Sequence, residues 1–270
     1  MKKHISATGR VAGAGTRGRR PSSSPAINRE TILQTGFQLA RTVPLQDVSM
    51  VRMANELGVT PANIRYHLNA RDDLTAGIVI LFYKHLLSNW PRETGEWRTD
   101  VSAIAELIYR SYIQYRGVAA YFAAGNRFQI LAAAMRADSH TMALFMERYL
   151  TVMRLIGLDK GRITAYAVIM LQQMHMTAHA TNSQQWPGEQ KLLEKHLKSL
   201  DPVDFPSTTE MRESYLSMAG ETAFQSALQL ILSGLEHERA TIAQTPSPRV
   251  QQNVPREKAE QRHVARRNSK

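Results

Sequence analysis

The chain has 270 residues, 43% of them hydrophobic, enough for a sizeable core in one large or two small domains. It contains no cysteine, so a disulfide framework, a thiolate metal site and a thiol nucleophile are excluded. The net charge of +11 is unevenly spread: residues 1–26 carry six Lys/Arg and no acid, and residues 240–270 carry seven Lys/Arg against Glu257 and Glu260. Residues 27–239 therefore balance to zero.

Both ends are rich in Arg, Ser, Pro, Gln or Gly and poor in large apolar residues, so they bury too little surface to offset their ordering entropy. Residues 1–26 are expected to be a disordered basic arm and residues 240–270 a disordered basic tail, serving solubility or non-specific attraction to phosphate. The N-terminus lacks the apolar run of a secretory signal, and no apolar stretch is long enough for a bilayer. A soluble cytoplasmic protein with no membrane partner is the expectation.

Between the ends almost nothing reads as strand. A first helix is predicted over about 29–41, capped by Asn28, with Ile27 stapled onto Ile32 and a buried stripe of Ile32, Leu33, Phe37 and Ala40. Residues 47–74, DVSMVRMANELGVTPANIRYHLNARDDL, read as two short helices, a tight turn and the start of a third. Val48, Val51, Ala54 and Leu57 recur at helical spacing, Ser49 is placed to cap, and Gly58 stops the helix where a positive φ is needed. Thr60 is the next N-cap, with Pro61 at the first helical position. Ile64 and Leu68 then share one face, which leaves Ala62, Asn63, Arg65, Tyr66 and His67 pointing elsewhere. Such side chains read base edges and hold phosphates.

After Asp72 and Asp73, whose carboxylates suit a helix N-terminus, a helix of roughly 18 residues, about 27 Å long, runs toward Trp90 and is stopped by Pro91. The 3.6-residue period continues over about 98–116, a short segment at 117–124, then 139–156, 161–182, 189–200 and 210–237. The breaks fall at PRETGE, GLDKG, QQWPG and DPVDFPS. The expected fold is all-α: a head at 27–73 holding three helices with a helix-turn-helix, and a larger helical body at 74–239. The helices at 161–182 and 210–237 are apolar on more than one face. The second carries Phe224, Leu228, Ile231 and Leu235 beside small Ala219, Ala223 and Ala227. A homodimer through a four-helix bundle is predicted; the alternative is that both helices are simply central in the monomer.

With these elements in this order, the chain resembles TetR-family transcriptional regulators from Arg29 to about Glu238. Ile32 to Ala40 is similar to the family's first helix, MANELGV at 53–59 to its second helix and turn, and Pro61 to Leu68 to its recognition helix. Trp97, the run Tyr115–Arg116–Gly117 and FQSALQLILSGLE resemble the tetracycline-repressor branch. The resemblance implies a dimer whose two recognition helices enter successive major grooves of an inverted-repeat operator in double-stranded DNA. It places Thr60, Pro61, Ala62 and Asn63 at the start of the reading helix, with Asn63 paired to adenine and Ala62 against a thymine methyl. Ser49, Arg52, Tyr66, His67 and Arg71 are assigned to phosphates. The family usually has Tyr where this chain has Arg65, and its tetracycline branch tends to have Arg near Val51. The operator is therefore expected to differ. Arg29, Arg41, Arg52, Arg65 and Arg71 are balanced by five acids over 27–74, so the Arg-rich arm at 10–20 is expected to add phosphate attraction.

The resemblance further implies a small-molecule effector in the body. Where the tetracycline branch holds drug and magnesium with polar side chains, this chain has Leu86, Ile104, Ile108, Phe122 and Ser183, so tetracycline with magnesium is not expected. An apolar pocket is predicted from Tyr83, Leu86, Ile104, Ile108, Tyr112, Phe122, Phe145, Met174 and His175, suited to an apolar or aromatic molecule and a repressor role. His175 and His179 stand at i, i+4, a spacing that can share a metal, but no third ligand accompanies them, and neither metal nor cofactor is predicted. No Gly-rich phosphate loop, nucleophile elbow or paired carboxylates support an enzyme. The remaining alternatives are an activator and a helical adaptor without specific DNA binding.

Overall fold

The computed structural model describes residues 27–244 apart from 69, 126, 188 and 189, so the basic arm and most of the tail lie outside the described residues. Among the described residues there is no strand, and no helix is long and apolar enough to cross a membrane.

Helix α1 (Arg29–Leu39) begins where the Asn28 side chain accepts from Thr31 N, 2.8 Å. A 3-10 turn (Leu45–Asp47) leads to α2 (Met50–Leu57), capped by Ser49, whose Oγ accepts from Arg52 N at 3.1 Å. Gly58 ends α2 at φ 64°, in the left-handed region that glycine enters without penalty. Helix α3 (Pro61–His67) is capped by Thr60, whose Oγ1 accepts from Asn63 N at 3.3 Å, and α4 (Arg71–Ser88) follows. Ile32, Leu33, Phe37, Val48, Met53, Ala54, Ile64, Leu68 and Leu74 close over one another as the head's core. Val51 departs from the pattern expected of it. It is 53% exposed, and Met53 and Ala54 face inward instead, because Val48 lies in extended backbone before the Ser49 cap, so its three-residue spacing to Val51 is not a helical one.

The body comprises α5 (Trp97–Gln114), α6 (Arg116–Ala124), α7 (Arg127–Ala137), α8 (Ser139–Arg154), α9 (Lys160–Asn182), α10 (Lys191–Lys198), α11 (Pro206–Leu216) and α12 (Gly220–Gln244). Helix α9 packs along α5, α6 and α12. Tyr109 stacks on Phe224 with centroids 3.9 Å apart, joining α5 to α12, and Tyr149 donates to the Ala167 carbonyl at 2.8 Å, joining α8 to α9.

Three boundaries correct the sequence reading. Residues 127–137, left unassigned there, form α7: the Ala132–Ala134 run has high helix propensity, but its apolar side chains lie on more than one face and blur the period. The helix expected over 210–237 is two, α11 and α12. The break falls where the chain passes the end of α9, since a Cβ on Gly220 would lie 2.0 Å from Thr181 Oγ1. Finally, α12 runs to Gln244, so the first residues assigned to the tail are helical.

Head and body meet at the start of α6. Gly117 N donates to the Ala40 carbonyl at 2.8 Å, and Arg116 donates from Nε and Nη2 to the Thr42 carbonyl at 3.2 and 2.9 Å. Beside these bonds Phe37 stacks on Tyr115 at 4.2 Å, with the Arg41 guanidinium 5.5 Å from the Tyr115 ring centre. A Cβ on Gly117 would fall 1.9 Å from the Val43 carbonyl oxygen, a backbone atom that cannot swing aside. Gly117→Ala should therefore lower the unfolding free energy by on the order of 3 kcal/mol. A urea midpoint equal to that of the wild type would contradict this contact.

Candidate functional site

On α3, Ile64 and Leu68 are fully buried while Ala62, Asn63, Arg65 and Tyr66 are exposed. The helix is held from behind by its apolar pair and from its start by the Thr60 cap, so its outward face is rigid and unspent. Tyr66, 86% exposed, stands edge-on to the His67 ring at 5.0 Å. Pro61 and His67 are half-buried, as is Ser49, which is engaged in capping α2; Arg52 is exposed. Arg71 donates from Nη2 to the Gln46 carbonyl, which ties the start of α4 to the 3-10 turn. The structure thus brings the sequence-predicted residues of 49–71 onto two adjoining short helices and the start of α4.

A cavity of about 240 Å³ lies in the body. Five residues singled out from the sequence wall it: Tyr83 of α4, Tyr112 of α5, Phe122 of α6, Phe145 of α8 and His175 of α9. Leu86, Ile104, Ile108 and Met174 do not wall it and are packed in the core, each at most 1% exposed. The sequence reading missed Phe128, Leu131 and Met135 because it missed α7, and it also passed over Met142 and Met146 of α8 and Val168 and Leu171 of α9. The signal for the last four was the i, i+3 and i+4 spacing around Phe145 and His175.

Within this wall the rings contact one another: Tyr83 meets Phe145 edge-on at 4.8 Å, and His175 lies 5.2 Å from Tyr112 and 6.0 Å from Phe122. His175 Nε2 lies 2.9 Å from the Ala119 carbonyl; a carbonyl only accepts, so this nitrogen carries the proton. The bond occupies one of the two imidazoles considered for a metal, and among the described residues no group of three His, Cys, Asp or Glu is placed to hold one. An apolar cavity of roughly 150 Å³ is known to accept one benzene ring. The cavity of about 240 Å³, walled by aromatic and thioether groups, is an apolar recess large enough for an aromatic ring.

A helix-turn-helix head carried on a helical body with an apolar cavity walled by α4 to α9 is the architecture of a ligand-binding transcriptional regulator. Residues 91–239, more than half the chain, match the family model of the tetracyclin repressor-like C-terminal domain. The chain belongs to the TetR family of transcriptional regulators. Its structure is similar to apo ActR from Streptomyces coelicolor (20% identity, 80% of this chain and 98% of that one, TM-score 0.64). It is also similar to ActR in complex with actinorhodin (20%, 79% and 98%, 0.60) and to a possible TetR family transcriptional regulator from Streptomyces coelicolor A3(2) (18%, 78% and 100%, 0.62). No curated protein matches the chain in sequence.

One wall of the cavity depends on a capped carboxylate. Asp138 precedes α8 and accepts from Thr141 N at 3.0 Å and Thr141 Oγ1 at 2.8 Å, with Lys84 Nζ of α4 at 3.2 Å. The Thr141 bonds first, and Lys84 second, hold its pKa down at about 2. A carboxylate depressed in the folded state adds stability above its unfolded pKa of about 3.9 and loses it as pH falls toward the folded value. Asp138→Ala should destabilise the protein by about 1 kcal/mol at pH 7, with the difference from wild type shrinking between about pH 4 and pH 2 in denaturant titrations. A difference independent of pH would show that the carboxylate's charge contributes nothing.

Proposed function

We propose that the protein is a dimeric repressor that binds an inverted-repeat operator through two copies of α3 and is released by an apolar aromatic effector in the α4–α9 cavity. The observation that carries this reading is the position of α6. Phe122 at its end walls the cavity, Ala119 in its middle accepts from His175, and Arg116 and Gly117 at its start are bonded to the head. A ligand that displaces Phe122 or competes for the His175 proton moves the nine-residue helix on which the head is hung. Such a ligand shifts DNA affinity to the extent that it prefers the displaced arrangement. That the similar ActR has been solved with actinorhodin and with (S)-DNPA bound supports a ligand in the body.

Dimerisation is supported by what the chain leaves uncovered. Helix α9 exposes Ile169 (48%) and Met176 (52%) opposite its buried Met170 and Met174, and α12 exposes Leu230 (76%). Helices α10 and α11 bury no residue at all. A second copy laid on α9 and α12 covers this surface and sets two α3 helices for half-sites roughly 34–36 Å apart. In this reading Pro61, Ala62 and Asn63, at the start of the helix capped by Thr60, face base edges, and Ser49, Arg52, Arg65, Tyr66, His67 and Arg71 face phosphates or guanine. The head is residues 27–73, the body 74–239, and the basic ends add phosphate attraction from the cytoplasm's DNA.

Selection from a random duplex pool should return a palindromic consensus; recovery without any consensus would favour the helical adaptor. On the selected site, Asn63→Ala should cost about 1–3 kcal/mol and relax preference at one A·T pair in each half. Equal loss on every sequence would move Asn63 to the phosphates.

His175→Phe keeps a ring against Tyr112 and Phe122 but removes the donor to Ala119. With about 1 kcal/mol lost from the anchoring of α6, operator affinity should fall about fivefold without any ligand. Unchanged affinity together with unchanged amide exchange in α6 would remove this helix from the coupling.

A further inference from the structure

A second cavity, of about 290 Å³, opens at the junction of head and body. The turn after α1 at Thr42 walls it on one side, Arg116 and Ala120 of α6 on another, and His179, Asn182 and Ser183 at the end of α9 on the third. No Asp or Glu lines it. Its lining is more polar than the aromatic cavity's: Thr42, Arg116, His179, Asn182 and Ser183 carry hydrogen-bonding groups beside Pro44 and Ala120, and the one formal charge is positive.

Three of these groups have unused capacity. Arg116 spends Nε and one Nη2 hydrogen on the Thr42 carbonyl, forms no ion pair among the described residues, and retains its Nη1 donors. His179 Nδ1 is buried and has no hydrogen-bond partner among the described residues. The Ser183 hydroxyl makes no hydrogen bond among the described residues, although Asn182 beside it donates to the Tyr112 carbonyl at 2.9 Å and so fixes the end of α9. A guanidinium from α6 and an imidazole and a hydroxyl from the end of α9 line the same recess, a donor set suited to an acceptor with several oxygens.

We propose that this junction cavity binds the phosphoryl group of a small molecule, either free phosphate or a phosphomonoester, as a second site distinct from the aromatic cavity. Its occupant bridges Thr42 of the head to α6 and α9 of the body. It therefore fixes the junction at which the Gly117 and Arg116 bonds already lie. The effect on DNA affinity rests on the regulatory function proposed above; binding itself does not.

Isothermal titration of the full chain with inorganic phosphate, and separately with glycerol 3-phosphate, at constant ionic strength tests the site without DNA. One saturable site per chain is expected, tighter than about 1 mM. The basic ends also attract phosphate, so the variants decide. Arg116→Gln should weaken binding at least tenfold. Because that change also removes a bond to Thr42, Ala120→Glu provides the second arm, setting a carboxylate in the cavity while Arg116 stays in place, and it should abolish saturation. Binding of glycerol 3-phosphate alone would assign the site to esters, and binding of both to the phosphoryl group itself. No saturable heat with either probe, or equal binding by the folded Ala120→Glu protein, would overturn the proposal and leave the regulatory reading untouched.

Discussion

An α-helix ends with carbonyls that have no partner within the helix, and α1 ends against the body. The Ala40 carbonyl receives Gly117 N–H and the Thr42 carbonyl receives the Arg116 guanidinium, so the first helix of the head is capped by the first turn of α6. The approach is so close that position 117 has no room for a side chain. The head is also held along α4, where Gly36 lies against Ile78 and Gly77 against Leu33. Beside the backbone contact Phe37 stacks on Tyr115. Arg41 is thereby held over Tyr115 and close enough to His85 to help keep that imidazole, already disfavoured as a cation by burial, below its usual pKa.

Helix α6 is short, and its shortness matters. Nine residues place the head's cap and the cavity wall within about 13 Å of each other along one hydrogen-bonded rod. A long helix bends and a loop absorbs displacement, so the proposed coupling rests on α6 being too short to do either. Helix α7 lies on the other side of the same wall. Its Phe128, Leu131 and Met135 face the aromatic cavity, while Gln129, Ala133 and Arg136 line a polar cleft of about 460 Å³ shared with Asp72 and Thr75 of α4. Between the two recesses Ile130 and Ala134 are buried, so α7 is anchored to the body by one narrow apolar stripe.

Much of the head was legible because its signals are local. The caps at Asn28, Ser49 and Thr60, the left-handed Gly58 and the Pro61 start depend on residues within four positions of one another, and each stands in the structure where the spacing put it. The aromatic wall was half legible. Tyr83, Tyr112, Phe122, Phe145 and His175 are large residues on helical stripes, but periodicity does not separate a residue facing a void from one facing a neighbour. Leu86, Ile104, Ile108 and Met174 share the stripe and went to the core. Helix α7 was hidden because its buried stripe, Ile130 and Ala134 with Leu131 half-buried, is narrow, while Phe128, Ala132 and Met135 are apolar and exposed, so the sequence shows no clean period. The Gly220 break was hidden because its cause, Thr181, lies 39 positions away.

The head's zero net charge conceals how its charges are employed. Asp73 Oδ2 accepts from Ala70 N at 3.3 Å and Asp72 lies in the first turn of α4, so these acids serve a helix N-terminus, where negative charge is favourable. Arg65 and Arg52 carry no such duty and stand exposed on α3 and α2. A phosphate approaching those two helices meets the arginines directly and the α4 carboxylates at greater range, where screening over a Debye length of about 8–10 Å weakens them. Attraction to a polyanion depends on which charges it meets first, so a net charge of zero over 27–74 does not by itself exclude a cationic patch around Arg52 and Arg65.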